Sequence, residues 1–297
     1  MGCSAVSQRL FSTLAEWLSA ESVVLASVLA TRGASPRHGG AQMLITASRI
    51  AGSVGGGRLE LHTIAAAREL LGTARQSEAV AIDLTGREGA QGVCGGSMQI
   101  ALRRWQGAAD RMRASAIADS LADGRRVMLD ADALGADATL TLDPPARLLI
   151  LGAGHCGLAL CHAAAPLGYD LHVLDDRADG YDALAFTGAT CHRDRAALPA
   201  LLVGERRTAA VLQNRDWATD AALLPILAQR PPDYVGMMGS RKRVRQVFQA
   251  VPNLAEFCAR IQAPIGLPIG AETPEELSIS VLAQVIAATS AARCAAR

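Results

Sequence analysis

RLLILGAGHCGLAL, residues Arg147–Leu160, is the stretch whose reading decides the fold. Leu148, Leu149, Ile150 and Leu151 make an unbroken apolar run, the pattern of a short strand buried on both faces. Gly152, Gly154 and Gly157 follow in G-x-G-x-x-G spacing, and Leu158 and Leu160 open an apolar helix. That spacing suits a tight turn, close approach of backbone to a pyrophosphate, and close packing of helix on strand. The turn's N–H groups and the positive end of the helix favour an anion. The same glycines also fit a turn that serves only the fold, so the motif defines a strand–turn–helix unit and leaves its ligand open.

The residues downstream extend this unit. Tyr169–Leu174 reads as a second strand ending at Asp175, about the twenty-residue distance at which a carboxylate meets a ribose hydroxyl. Cys191-His192 and Asp194-Arg195 follow a third strand position, and Thr208–Gln213 is a buried strand ending at Asn214-Arg215-Asp216. Ala218–Arg230 is a helix stopped by Pro231-Pro232, and Tyr234–Met238 is the next strand. Gly239-Ser240-Arg241-Lys242-Arg243 then opens a helix with cations in its first turn, where the dipole disfavours them. This is either a phosphate cradle, with Ser240 and Arg241 as its ligands, or a solvated basic face. Thr273-Pro274-Glu275-Glu276 is a helix start with a capping box, and Ile265–Gly270 before it is a constrained loop.

The first half alternates strands with glycine-rich loops. Leu10, Phe11, Leu14, Trp17 and Leu18 share one helical face, and Ser22–Thr31 is a strand rich in β-branched residues. Arg32–Gly40 carries two arginines, a histidine and three glycines. It reads as a surface turn or as an anion loop backed by Arg32 and Arg37. Ala41–Thr46 returns as a strand, and Gly55-Gly56-Gly57 feeds a helix over Arg58–Leu71. Three consecutive glycines are costly in backbone entropy and imply a steric reason. Ala79–Leu84 and Met98–Trp105 are strands flanking a loop in which Gly92, Gly95 and Gly96 surround Cys94. A free cysteine is most often an inert buried one, whereas one in an open loop near arginines acquires thiolate character. Arg111–Ala122 is helical, Arg126–Asp130 and Ala138–Leu142 are short strands, and Asp143-Pro144-Pro145 is a stiff hinge.

The 297 residues carry a net charge of +1, so no global field argues for nucleic acid or a membrane surface. No apolar run reaches the length of a membrane span. Seven cysteines, an odd number without regular spacing, do not form a disulfide framework and point to a reducing cytoplasm. The expected fold class is α/β: an N-terminal α/β domain over residues 1–145 and a C-terminal Rossmann-like parallel-sheet domain over residues 146–297.

Taken together, the motifs resemble those of the XdhC/CoxI family. The likeness rests on RGASPRHGGAQML (Arg32–Leu44), GSVGGGRLE (Gly52–Glu60), QGVCGG (Gln91–Gly96), LILGAGHCG (Leu149–Gly157), VGMMGSRKR (Val235–Arg243) and IGLPIGAETPEELSISVLAQVIA (Ile265–Ala287), in the family's order. The resemblance implies a chaperone that binds the molybdenum cofactor, molybdopterin, and protects it while a cysteine desulfurase exchanges an oxo ligand for sulfur. It would then deliver the cofactor to the molybdenum subunit of xanthine dehydrogenase, and would be a homodimer. Mapped onto this sequence, the cofactor-binding candidates are Arg32, Arg37, Gly55, Gly56, Gly57, Cys94, Gly95, Gly96, Gly152, Gly154, Gly157, Asp175, Ser240 and Arg241. Cys94 would be a molybdenum contact, and the glycine motif at Gly152 a place for a nucleotide. Two positions depart from the family pattern: Val93 stands where a first cysteine is common, and Asn214-Arg215 where Thr-His is common.

A competing reading, from Gly152–Gly157 and Asp175 alone, is an NAD(P)-dependent oxidoreductase. It lacks an evident proton donor. Gly152–Gly157 would then mark a hydride-transfer site rather than part of a chaperone.

Overall fold

The computed structural model describes residues 3–87, 90–92, 95–177 and 181–295. The chain divides into two compact units, Met1–Pro144 and Pro145–Arg297.

In the first unit, helix α1 (Cys3–Trp17) precedes β1 (Val23–Arg32), β2 (Gln42–Ile45) and β3 (Ile50–Gly52). Helix α2 (Gly57–Leu71), β4 (Ser77–Asp83), β5 (Ser97–Trp105) and α3 (Gly107–Ala122) follow, then β6 (Val127–Leu129), α4 (Ala131–Leu134) and β7 (Leu140–Leu142). The main sheet is five-stranded, ordered β3-β2-β1-β5-β4, with every neighbouring pair antiparallel. Strands β6 and β7 pair separately. Period-two alternation sends successive residues of β1 to opposite faces, and Val23–Val28 are buried on both. Val23 and Leu25 pack with Leu10, Phe11, Leu14, Trp105 and Leu121 under α1 and α3. Val24, Ala26 and Val28 pack with Leu59, Leu70, Ile82 and Ile100 under α2. Both faces are covered at the central strand β1, whereas β4 and the start of β5 alternate buried and exposed residues and keep one face in solvent.

In the second unit, β8 (Arg147–Leu151), α5 (His155–Ala164), β9 (Asp170–Leu174), β10 (Ala189–His192) and α6 (Leu198–Leu201) come first. Then follow β11 (Thr208–Leu212), α7 (Trp217–Gln229), β12 (Tyr234–Met237), α8 (Arg241–Gln249), α9 (Ala255–Cys258) and α10 (Pro274–Ala295). Cys191 and His192, expected beyond the third strand, are its last two residues. The sheet is parallel and five-stranded in the order β10-β9-β8-β11-β12, the first five strands of the doubly wound Rossmann order. Leu148 and Ile150 face a core with Leu160, Val281 and Val285 from α5 and α10. Leu149 and Leu151 face another with Leu223, Leu224, Val244 and Val247 from α7 and α8. The capping box of α10 forms: Glu276 N donates to Thr273 Oγ1 at 3.2 Å, and Thr273 N donates to Glu276 Oε2 at 3.2 Å. The constrained Ile265–Gly270 loop is tied to this helix. Gly266 N donates to Gln284 Oε1 at 2.7 Å, and Ser280 Oγ donates to the Leu267 carbonyl at 2.7 Å.

Candidate functional site

In the first unit, the glycine-rich loops singled out by sequence meet at one rim of the sheet. Strand pairing sets Arg32 opposite Ser97, which brings the loop after β1 against the loop before β5. The approach is close: a Cβ on Gly33 would stand 3.1 Å from the Gly95 carbonyl oxygen, and one on Gly96 would overlap the carbonyl oxygens of Arg32 and Ala34. The loop before α2 joins from the other side, since a Cβ on Gly55 would stand 2.8 Å from Pro36 Cγ and 2.6 Å from Leu59 Cδ2. Gly33, Gly55 and Gly96 are therefore glycines because backbone meets backbone or a packed side chain. Gly56 and Gly57 have no such neighbour. Their φ values are +76° and +61°, and nothing lies within 4 Å of the place a Cβ would occupy. This pair turns two open backbone faces outward at the start of a 15-residue helix, where the first N–H groups lack helical acceptors.

Arg32 and Arg37 are exposed, as is Arg58 in the first turn of α2, and none has an ion-pair partner among the described residues. Arg58 was not among the sequence candidates, although it sits within GSVGGGRLE. Cys94, proposed as a molybdenum contact, lies outside the described residues together with Val93. Its neighbour Gly95 is held by donating its N–H to the Leu84 carbonyl at 2.7 Å, and Leu84 N donates to the Gly96 carbonyl at 2.9 Å. The turn before α2 is not an empty nest. Its donors already have an anion, the carboxylate of Glu60. Ser53 Oγ donates to Glu60 Oε2 at 2.6 Å, Gly56 N at 3.1 Å and Val54 N at 3.2 Å.

In the second unit, the three glycines of the motif divide by role. A Cβ on Gly152, whose φ is +120°, would come within 2.8 Å of the Gln213 carbonyl, and one on Gly157 would overlap the Gly152 carbonyl oxygen. These two let β8, β11 and α5 approach. A Cβ on Gly154 would meet nothing within 4 Å. Only this glycine leaves an open face where a ligand could press on the backbone, beside the point at which the strand order reverses.

Asp175 has a different role from the ribose contact expected of it. Its side chain is 3% exposed, Oδ2 accepts the Ala153 N–H at 2.7 Å, and the Arg177 guanidinium binds both oxygens at 2.8 Å. The carboxylate thus fastens the glycine turn to the end of β9. Burial pushes its pKa up, but Arg177 and the two backbone N–H groups outweigh burial and hold it below the usual range. Beside the turn, burial and then Glu275 push the Cys156 thiol up, so this thiol does not become a thiolate near neutral pH.

Ser240 caps α8, accepting the Arg243 N–H at 3.3 Å, and Arg241 is exposed. Arg243 resolves the apparent misfit of cations at this helix start, because its target is inside the protein. It donates to Asp220 Oδ2 at 2.6 Å, to the Asn214 carbonyl at 2.5 Å and to the Arg215 carbonyl at 2.7 Å. Asn214 Nδ2 donates to the other Asp220 oxygen at 2.8 Å. Asn214 is thus a structural partner of a buried acid, with the sequence signal visible only as a departure from the family pattern. At the opposite end of β9, Asp170 binds Arg147 and His172, and His172 Nδ1 meets His192 Nε2 at 3.0 Å. Among the described residues no group of three or more His, Cys, Asp or Glu side chains is arranged to hold a metal ion. No helix among them is long and apolar enough to cross a membrane.

The fold and these loops define a two-part protein, an antiparallel α/β unit with a glycine-lined rim followed by a Rossmann-like unit. Residues 17–83 match the model of the XdhC and CoxI family, and residues 148–285 match the XdhC Rossmann domain. The chain belongs to the XdhC and CoxI family. It is 26% identical over 293 residues to the molybdenum cofactor insertion chaperone PaoD of Escherichia coli, covering 90% of this chain and 84% of that protein. It is also 28% identical over 273 residues to Escherichia coli YqeB, covering 88% of this chain and 42% of that one. Over 149 residues it is 29% identical to a probable xanthine dehydrogenase subunit from Bacillus subtilis, covering 49% of this chain and 43% of that one. The chain thus spans less than half the length of the last two. A crystal structure from Bacillus halodurans, described as a xanthine dehydrogenase, superposes with a TM-score of 0.76 at 22% identity over 97% of this chain and 96% of that one. At that identity the likeness concerns the fold.

Proposed function

We propose that this protein binds the molybdenum cofactor as cargo, protects it during sulfuration and delivers it to the molybdenum subunit of a xanthine dehydrogenase. The observation that carries this reading is the meeting of the Arg32–Gly40, Gly52–Gly57 and Gly95–Gly96 loops at one rim of the first unit. The chemistry of the rim suits the cargo. Molybdopterin bears a phosphate, and the rim offers the open faces of Gly56 and Gly57 together with the cations of Arg32, Arg37 and Arg58. Cys94, one residue before Gly95, would supply a soft ligand suited to molybdenum.

The relatives' names agree with an accessory role, most directly that of PaoD. A cysteine desulfurase would be the sulfur source, and a homodimer the working form in a reducing cytoplasm. The second unit would offer the open face of Gly154 as its own place for a nucleotide, or serve only to build the fold.

An NAD(P)-dependent oxidoreductase is the alternative, and the sheet order with the open Gly154 is what speaks for it. Against it stands Asp175, whose oxygens are spent on Ala153 and Arg177.

A transfer experiment tests the proposal. Protein purified from cells that make molybdopterin should activate cofactor-free xanthine dehydrogenase, and Cys94→Ala protein should retain pterin but fail to protect molybdenum from loss. A wild-type protein that transfers nothing while turning over a nicotinamide would favour the alternative.

A further inference from the structure

Glu60 is the residue on which the turn before α2 closes. Its Oε2 gathers Ser53 Oγ at 2.6 Å, Gly56 N at 3.1 Å and Val54 N at 3.2 Å, and Ser53 Oγ in turn accepts the Gly55 N–H at 3.2 Å. Backbone N–H groups of a turn converging on one oxygen form an anion nest; here Val54 and Gly56 supply the N–H groups, and the anion comes from one turn into the helix itself. Three consecutive glycines at φ +146°, +76° and +61° have wide conformational freedom. The turn has further anchors on the side away from the glycine pair: Ser53 N donates to the Gln42 carbonyl at 3.2 Å, Val54 is buried in the core, and Gly55 packs on Pro36. A charged acceptor in the middle is what selects one conformer, because hydrogen bonds to a carboxylate are about twice as strong as neutral ones.

We propose that Glu60 is the positioning residue of the rim site: an internal carboxylate that occupies the Ser53–Gly56 nest and thereby fixes Gly56 and Gly57 with their open faces toward the cargo. The proposal rests on the cofactor-binding reading. It carries two consequences. The cargo's phosphate is not bound by the Val54 and Gly56 N–H groups, which are already taken. It meets instead the first N–H groups of α2 and the arginines of the rim.

The test uses the full chain, as wild type, Glu60→Gln and Glu60→Ala, purified from cells that make molybdopterin. Amide hydrogen exchange at Val54 and Gly56 is measured on pterin-free samples, and bound pterin on fresh ones. Loss of charged hydrogen bonds should speed exchange at both amides by about tenfold or more in Glu60→Ala, with exchange in β1 and β5 unchanged. Pterin content should fall several-fold in that variant. Glu60→Gln keeps an oxygen acceptor and should retain most of the pterin, and acetate added to Glu60→Ala should restore part of it. Unchanged exchange at Val54 and Gly56 would overturn the positioning role whatever the pterin result. Faster exchange with undiminished pterin would overturn it as well, as would tighter binding of inorganic phosphate by Glu60→Ala, which would make Glu60 a competitor. If wild-type protein carries no pterin, the cofactor reading fails, and the exchange data still decide whether Glu60 shapes the turn.

Discussion

The Arg243 guanidinium lies 2.6 Å from the Asp220 carboxylate, and that carboxylate has no exposed surface. Asn214 holds the second Asp220 oxygen, and Arg243 also reaches the carbonyls of Asn214 and Arg215. The loop after β11, the first turn of α7 and the first turn of α8 are thereby locked together at the carboxyl ends of the parallel strands. Burial pushes the Asp220 carboxyl up, against the pull of Arg243 and Asn214, so the pair stands on its geometry.

Removing one partner leaves the other buried and unpaired. Asp220→Ala or Arg243→Ala should each cost about 3–5 kcal/mol of unfolding free energy. Asp220→Leu combined with Arg243→Met should recover much of that loss. Urea unfolding of the single and double variants measures the coupling; strictly additive losses would show that the pair does not act as a unit.

The glycines of the second unit make a paired prediction. Gly157→Ala forces a methyl into the Gly152 carbonyl oxygen and should destabilise by about 1–3 kcal/mol. Gly154→Ala points a methyl into open space from an extended backbone and should cost less than about 1 kcal/mol. Thermal unfolding of the two variants compares them directly. Equal losses would mean that Gly154, too, is there for packing.

Acid stability depends on Asp170. Burial raises its pKa, but His172, Arg206 and Arg147 together hold it well below the usual carboxylate range. A depressed folded-state pKa contributes stability above the unfolded value, about pH 4, and that contribution disappears as the pH falls through the folded value. Asp170→Asn should therefore be less stable than wild type near neutral pH, and the gap should narrow below about pH 4. His192, lowered first by burial and then by His172 and Arg147, adds a separate loss starting near about pH 6.5 in both proteins. A gap that stays constant from neutral pH down to about pH 2 would show that Asp170 is not the source of the acid sensitivity.

Much of the architecture was legible in the sequence because it follows from local rules. The apolar run before Gly152, the β-branched residues of Ser22–Thr31 and the capping box at Thr273 each act within a few residues. Strand pairing in the first unit was not legible: β1 lies between β2 and β5, and nothing in the spacing says that Arg32 ends opposite Ser97. Short elements such as β3 and α4 carry too few residues for periodicity to register. The candidate site was read by composition, which finds glycines and arginines but not what they face. Arg243 therefore counted as part of a cation cluster until Asp220, 23 residues away, appeared beneath it. Asp175 kept its sequence distance from the glycine motif but points its oxygens at Ala153 and Arg177. Glu60 sits within GSVGGGRLE without a visible role, since the nest it fills exists only once Gly55–Gly57 take their left-handed turn.

Whether the rim of the first unit binds the molybdenum cofactor is decided most directly by the pterin content of purified protein. Wild type and an Arg32→Ala, Arg37→Ala double variant would be prepared from cells that make molybdopterin and assayed for bound pterin and molybdenum. Both arginines are exposed, so the variant should unfold at the same temperature as wild type. Pterin is expected on the wild-type protein, with a loss of about tenfold or more on the variant, the effect of removing charge-assisted contacts to a phosphate. A wild-type protein free of pterin, or equal pterin on both, would contradict cofactor binding at the rim.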